Sequence, residues 1–319
     1  MRPFLRRWAT ACAVAVAAGA AAAAAEAQEV VSGALMDAKL RSRANGVLQV
    51  LSFTAIPDST ASALSISSDD TGDPHFRQTQ LGGAFTVSER TPIYLEGFIG
   101  ATRYDPEFVF SGGESTRSVP TRWSGVTATG GVGYDFDIGA NWVFRPIVNT
   151  MLGYMASDLK LLTFVIDRQA DPDLDFIDGG DLLAVGGGGS VMLDYEHRSA
   201  AYDADIELRF TSLFVRSFGG DAVEGQAHGQ TAALWTRLRY PTGLRAFDAP
   251  VRLVVEGAHS SFFGANRGAL GFTDLSQVGL GIEFDTESKG VILTRTRLVG
   301  RYVFGRNVSG FGVGLGVSF

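Results

Sequence analysis

Few residues in this chain have the types and spacing for chemistry. The histidines are His75, His197, His228 and His259, and no pair has metal-ligand spacing. No Asp–His cluster is close in sequence either, so neither a metal site nor a cofactor is expected. The constellation with catalytic potential is His259-Ser260-Ser261. Two residues apart on a strand, His259 and Ser261 share a face. A serine hydroxyl becomes a nucleophile when a base such as imidazole stands within hydrogen-bond reach. Carboxylates gather at Asp167, Asp171, Asp173, Asp175, Asp178 and Asp181. Such groups suit Ca²⁺ or Mg²⁺, but their spacing matches no defined motif, and a solvated loop is the better reading.

The elements that would position these residues follow from composition and pattern. The 319 residues include 40 Gly, 22 Phe and 10 Pro, with mean hydropathy +0.12. That balance, glycine- and aromatic-rich without a long apolar run, is the usual one for a transmembrane β-barrel. The formal net charge of -7 argues against nucleic acid as a partner. Arg2, Arg6 and Arg7 precede the alanine-dominated stretch Ala9 to Ala25, and Ala25-Glu26-Ala27 gives an A-x-A site. Residues 1–27 therefore read as a secretory signal peptide. Cys12 is the single cysteine and lies within it, so the mature chain is expected to have no disulfide or thiol chemistry.

Residues 28–57 read as an N-terminal helical or plug segment. Val31, Leu35 and Ala38 recur at helical spacing over Val30 to about Val50, and Pro57-Asp58 breaks the pattern. Residues 58–319 become a run of strand-length segments, the first placed between Ser59 and Ser67. Leu81, Phe85 and Val87 stand against Gln78, Gln80 and Thr86, and Ile93 and Ile99 against Tyr94, Glu96 and Phe98. Tyr202, Ala204, Ile206, Leu208, Phe210 and Phe214 oppose Asp203, Asp205, Glu207 and Arg209. At the end, Phe311, Val313, Leu315, Val317 and Phe319 alternate with glycines and Ser318. Loops are expected over Asp158 to Gly186, Gly219 to Gly229 and Pro241 to Pro250.

The count is about twelve strands, apolar on one face and fully charged on the other. Lipid would take the apolar face and a polar lumen the charges. The lumen-facing set is Arg145, Asp194, Asp203, Asp205, Glu207, Arg209, Arg237, Arg239, Arg252, Glu256, Glu283, Arg295, Arg297 and Arg301. Both signs are present in quantity, which favours an internal salt-bridge lattice over a selective conducting wall. Connections alternate short and long, from Ser88 to Thr91 and Asp105 to Pro120 onward. With twelve strands, that alternation puts both mature termini on the periplasmic side. The fold class is thus all-β: a transmembrane antiparallel up-and-down barrel preceded by a short N-terminal helix.

Gly279-Leu280-Gly281-Ile282-Glu283-Phe284-Asp285, the Arg295 to Tyr302 strand and the run from Tyr302 to Gly310 into the terminus resemble an autotransporter translocator domain. More narrowly, the chain is similar to solitary autotransporter-like barrels without a passenger, since about thirty residues at most separate signal cleavage from the first barrel segments. The resemblance implies an outer-membrane location, lipid and the barrel assembly machinery as partners, and no enzyme activity. It also implies that the helix sits in the pore, where Arg41 and Arg43 would meet Asp203, Asp205 and Glu207, and that Phe319 is the assembly signal. A monomer is expected. Two alternatives stand beside this reading: a porin-like channel for small solutes, and an outer-membrane lipid hydrolase using His259 and Ser261. A lipid-facing His and Ser two apart is the arrangement of outer-membrane phospholipases and lipid A deacylases. Those follow the Ser with Asn, whereas Phe262-Phe263 follows here.

Overall fold

The computed structural model describes residues 44–56, 61–68, 76–104, 109–110, 117–118, 123–157, 181–218, 225–247, 249–264, 267, 272–285, 295–306 and 308–318. Twelve strands make the wall, labelled here in chain order. They are β1 (Ala61–Ser68), β2 (Phe76–Ser88), β3 (Thr91–Tyr104), β4 (Trp123–Tyr134, resumed at Phe136–Gly139), β5 (Trp142–Ser157) and β6 (Asp181–Arg198). The second half comprises β7 (Asp203–Ser217), β8 (Gln226–Ala246), β9 (Ala249–Gly264), β10 (Asp274–Asp285), β11 (Arg295–Gly305) and β12 (Val308–Ser318). Each strand pairs antiparallel with its sequence neighbours, and β1 closes on β12, with Ala61 opposite Leu315 and Ser68 opposite Val308. The result is an up-and-down barrel with no free sheet edge. A two-residue hairpin, Val109–Phe110 with Arg117–Ser118, lies between β3 and β4.

Strand direction defines two ends. The turns after β2, β4, β6 and β8 are tight and share one end with the start of β1 and the end of β12. Gly139, Ala140 and Asn141 take positive φ in the β4–β5 turn, and the Asp137 carboxylate accepts from the Gly139 N–H at 2.8 Å. The connections after β1, β3, β5, β7 and β9 leave the opposite, long-loop end. The alternation relaxes over the last three strands, where residues 286–294 join β10 to β11 and residues 306–307 join β11 to β12.

The alternation of side chains decides what each face meets. Leu81, Ile99, Val148 and Leu280 point outward and are each more than 60% exposed. They belong to a belt of exposed apolar residues around the wall. Aromatic rings edge the belt at both ends. Towards the tight turns, Tyr134 stacks near Phe136, Trp142 near Tyr195, Tyr202 near Tyr240 and Phe247 near Phe284. Towards the long loops, Tyr302 lies against Phe304 and Phe311. An apolar band between aromatic girdles is the surface a barrel presents to lipid. Among the described residues no helix is long and apolar enough to cross a membrane.

Several sequence boundaries need correction. The described helix, α1, spans residues 44–54. It therefore continues past Val50, carrying Ser52 and Thr54, whose hydroxyls return to the carbonyls of Gln49 and Val50 at 2.8 and 3.0 Å. Residues 30–43, with Arg41 and Arg43, lie outside the described residues, as does Phe319. Strand β6 begins at Asp181, inside the segment expected as loop to Gly186, because Gly186 to Gly189 carry no side chains to show a period. Strand β8 begins at Gln226 and runs to Ala246 through Pro241, which stands opposite Arg252, with a bulge between Pro241 and Arg245, so the expected Pro241 to Pro250 loop shrinks to a turn.

Candidate functional site

The lumen divides into two storeys. Nearer the tight turns, the inward charges form a lattice. Glu96 accepts two bonds from Arg209, at 2.7 and 2.9 Å, one from Asn149 at 2.6 Å and one from the Tyr94 hydroxyl at 3.1 Å. Gly131 makes room for it, since a Cβ there would meet Glu96 Oε1 and Asn149 Nδ2 at 2.6 Å. Glu256 gathers Arg237 at 2.9 Å, Arg301 at 2.8 Å and Arg297 at 3.7 Å. Arg239 bridges Asp205 at 2.6 Å and Glu283 at 3.9 Å, and Glu283 also meets Arg297 at 3.3 Å. Arg252 pairs with Asp203 and with Asp285 at 3.0 Å, and Arg295 stands 4.0 Å from Asp285. Arg145 pairs with Asp135 and with Asp194 at 3.1 Å, its guanidinium lying 4.1 Å over the Tyr94 ring. Glu207 points inward beside Arg209.

The lattice joins most of the sequence-chosen charges but adds three carboxylates outside that set: Glu96, Asp135 and Asp285. Asp203 and Asp205, expected to receive Arg41 and Arg43, are engaged by wall arginines, while Arg41 and Arg43 lie outside the described residues.

Nearer the long loops the interior is apolar and α1 fills it. Ala44, Leu48 and Leu51 have no exposed surface, and they cluster with inward residues from β4 through β11, among them Trp123, Met151, Leu182, Leu213 and Val303. Phe53 meets Phe262 at 5.1 Å and Phe272 at 5.9 Å between ring centres. The last carbonyls of a helix have no intrahelical donor. Here the wall supplies donors: Gln80 Nε2 donates to Thr54 O and Ile56 O at 3.3 and 2.9 Å, and Thr129 Oγ1 to Ala55 O at 2.9 Å. At the other end, Asn45 Oδ1 accepts from the Gln226 N–H at 2.9 Å. Residue 44 therefore stands at the long-loop end while Ile56 reaches mid-barrel. Residue 28 and Phe319, the mature termini expected on the periplasmic side, lie outside the described residues.

Beside the end of α1 a cavity of about 180 Å³ remains, lined by Ile56, Gln78, Thr231, Trp235, Ser260 and Arg301 among others. Thr231 Oγ1, Trp235 Nε1 and Gln78 Oε1 are buried against it, and no group among the described residues bonds them. Such atoms make the gap polar and wettable.

On the outer wall, His259 and Ser261 point outward, as their parity predicts. Ser261 Oγ lies 3.3 Å from His259 Nε2. Ser276, on the neighbouring strand β10 and directly opposite His259, places its Oγ 2.9 Å from His259 Nδ1. Sequence reasoning missed Ser276, because cross-strand register is invisible in one strand's period. A second outward pair, Ser212 and His228, meets at 2.9 Å.

No family model matches this chain, and no curated protein matches it. Among solved structures, the β domain of the Bordetella autotransporter BrkA is 13% identical, with TM-score 0.47 over 82% of this chain and 100% of that one. The transport unit of the autotransporter AIDA-I from Escherichia coli is 11% identical, with TM-score 0.47 over 86% and 98%. The translocator domain of the autotransporter NalP from Neisseria meningitidis is 13% identical, with TM-score 0.43 over 92% and 98%. The solved structures that this barrel is similar to thus include autotransporter translocator domains, matched nearly end to end at low identity.

Proposed function

We propose that the chain is an integral outer-membrane barrel of translocator type, closed by its own N-terminal helix and lacking a passenger, and that its role is structural or translocator-like. The observation that carries the reading is α1 standing in the lumen, with Ala44, Leu48, Leu51 and Thr54 fully enclosed and residue 44 at the long-loop end. A chain lying in that direction has the course of one that has passed through the barrel toward the outside. The apolar belt and two aromatic girdles supply the lipid-facing surface. Below the helix, the inward arginines and carboxylates engage each other, which favours a stiff wall over the porin-like alternative.

The test is conductance in a planar bilayer. The full mature chain should be near-silent, and a variant lacking residues 28–56 should open a stable pore. Equal conductance of the two would overturn the closed-lumen reading, and a high conductance in both would support the porin alternative.

A further inference from the structure

Two strands of the outer wall assemble an arrangement that the barrel's architecture does not call for. On β9, His259 and Ser261 face outward two residues apart, and on β10 Ser276 stands opposite His259. The hydrogen bonds run in one chain: Ser261 Oγ to His259 Nε2 at 3.3 Å, and His259 Nδ1 to Ser276 Oγ at 2.9 Å. With the Nδ1–H donating to Ser276, Nε2 carries the lone pair, which is the tautomer that accepts the Ser261 hydroxyl proton. Both His259 contacts are to hydroxyls, so the imidazole is fixed in plane from both sides. On the other flank, Ala232 of β8 pairs with Ser261, and Gln230, two residues on, shares the outward parity. Diagonal neighbours on adjacent strands lie within reach of a long side chain. The Gln230 amide is therefore an outward donor in register for an oxyanion forming above Ser261, on the side away from Asp274, which stands opposite Ser261 on β10.

The height of the group on the wall selects its substrate. Ser276 pairs with Phe304, part of the aromatic cluster toward the long loops, and Phe263 follows Ser261 on the same face. Rings at that level mark the boundary between acyl chains and headgroups. The ester linkages of membrane lipids lie at this boundary.

We propose that Ser261, His259 and Ser276 form a lipid-facing acyl-ester hydrolase site, with Ser261 as nucleophile, His259 as general base and acid, and Ser276 as the positioning residue. Ser261 Oγ attacks the ester carbonyl as its proton passes to His259 Nε2. The tetrahedral intermediate collapses, the C–O bond to the lipid alcohol breaks, and His259 returns the proton to that alcohol. Water, deprotonated by His259, then attacks the acyl-enzyme. The fatty acid leaves and Ser261 regains its proton. The shared substrate chemistry is a long-chain carboxylic ester, carried by glycerophospholipid or by an acylated glucosamine lipid.

The experiment uses the full mature chain refolded in detergent, with strand circular dichroism and heat-dependent gel mobility confirming the fold of each variant. Fatty-acid release is followed in mixed micelles of phosphatidylcholine and, separately, of acylated glucosamine lipid. A long-chain alkyl fluorophosphonate tests the nucleophile by mass spectrometry. The proposal expects release from at least one lipid, with modification at Ser261. Ser261→Ala should abolish both, a loss on the order of 100-fold or more in rate. Ser276→Ala should lower kcat roughly tenfold, and Ser276→Asn, which still accepts from Nδ1, should restore it. Ser212→Ala, at the other outward Ser–His pair, should leave the rate unchanged. Folded protein with no release from either lipid and no label on Ser261 would overturn the proposal. So would release that persists in Ser261→Ala.

Discussion

Glu96 shows at single-residue scale what holds the lumen together. Its side chain is fully enclosed and meets Arg209, itself 6% exposed, in a two-pronged contact. Removing one partner of a buried ion pair leaves the other charge without compensation and costs about 3–5 kcal/mol. Glu96→Ala is therefore expected to lower the unfolding free energy by about that amount in a denaturant titration. The Glu196–Arg198 pair on the same wall is 53% and 63% exposed. A surface pair contributes about 0–1 kcal/mol, so Glu196→Ala should scarcely move the midpoint. Equal effects would show that the lattice does not stabilise the barrel. The inward charges from Arg145 to Arg301 were legible in the sequence because each alternates with apolar neighbours. Glu96 was obscured as a site residue because Tyr94 and Phe98, which share its parity, made an aromatic face of that strand.

At the scale of elements, strands declared themselves more clearly than the helix did. A strand of this wall has two faces with opposite solvents, so its period of two survives in sequence. Where a face is glycine, as at Gly186 to Gly189 in β6, the period disappears and the boundary with it. Helix α1 is largely enclosed by the wall, with Ser52 and Thr54 buried beside Leu48 and Leu51, so exposure does not sort its polar from its apolar residues, and its end had to be inferred from Pro57-Asp58. Its fit depends on small wall residues. A Cβ on Gly100 would lie 2.9 Å from Thr54 Cγ2 and 2.8 Å from Thr127 Oγ1. Overpacking at such a contact costs about 1–3 kcal/mol, and here the cost falls on the helix rather than on strand pairing. Gly100→Val should give a barrel of unchanged strand content that opens intermittently in a bilayer. A variant as silent as the parent would mean that α1 shifts without penalty.

On the whole-molecule scale, closure depends on β1 meeting β12, and the chain ends one residue beyond that strand, at Phe319. We propose, from the resemblance in sequence alone, that Phe319 serves recognition by the assembly machinery. Phe319→Asp is accordingly expected to reduce the amount of heat-modifiable barrel in the outer membrane, and normal assembly would argue against that assignment. The central claim, however, is that the chain ahead of the barrel runs back through it. The Ala44 Cβ lies 3.0 Å from where a Gly225 Cβ would stand, so a shift of about half an ångström brings the pair to disulfide range, about 3.5–4.5 Å. Cys12 is the single cysteine, so a Cys12→Ser background offers no competing thiols. The most direct test is therefore Ala44→Cys with Gly225→Cys in the refolded barrel, read as intramolecular disulfide by mass spectrometry, with Ala44→Cys and Leu81→Cys as the outward-facing control. A helix in the lumen predicts rapid, near-complete cross-linking of the first pair and none of the second. A folded barrel whose first pair stays reduced would contradict it.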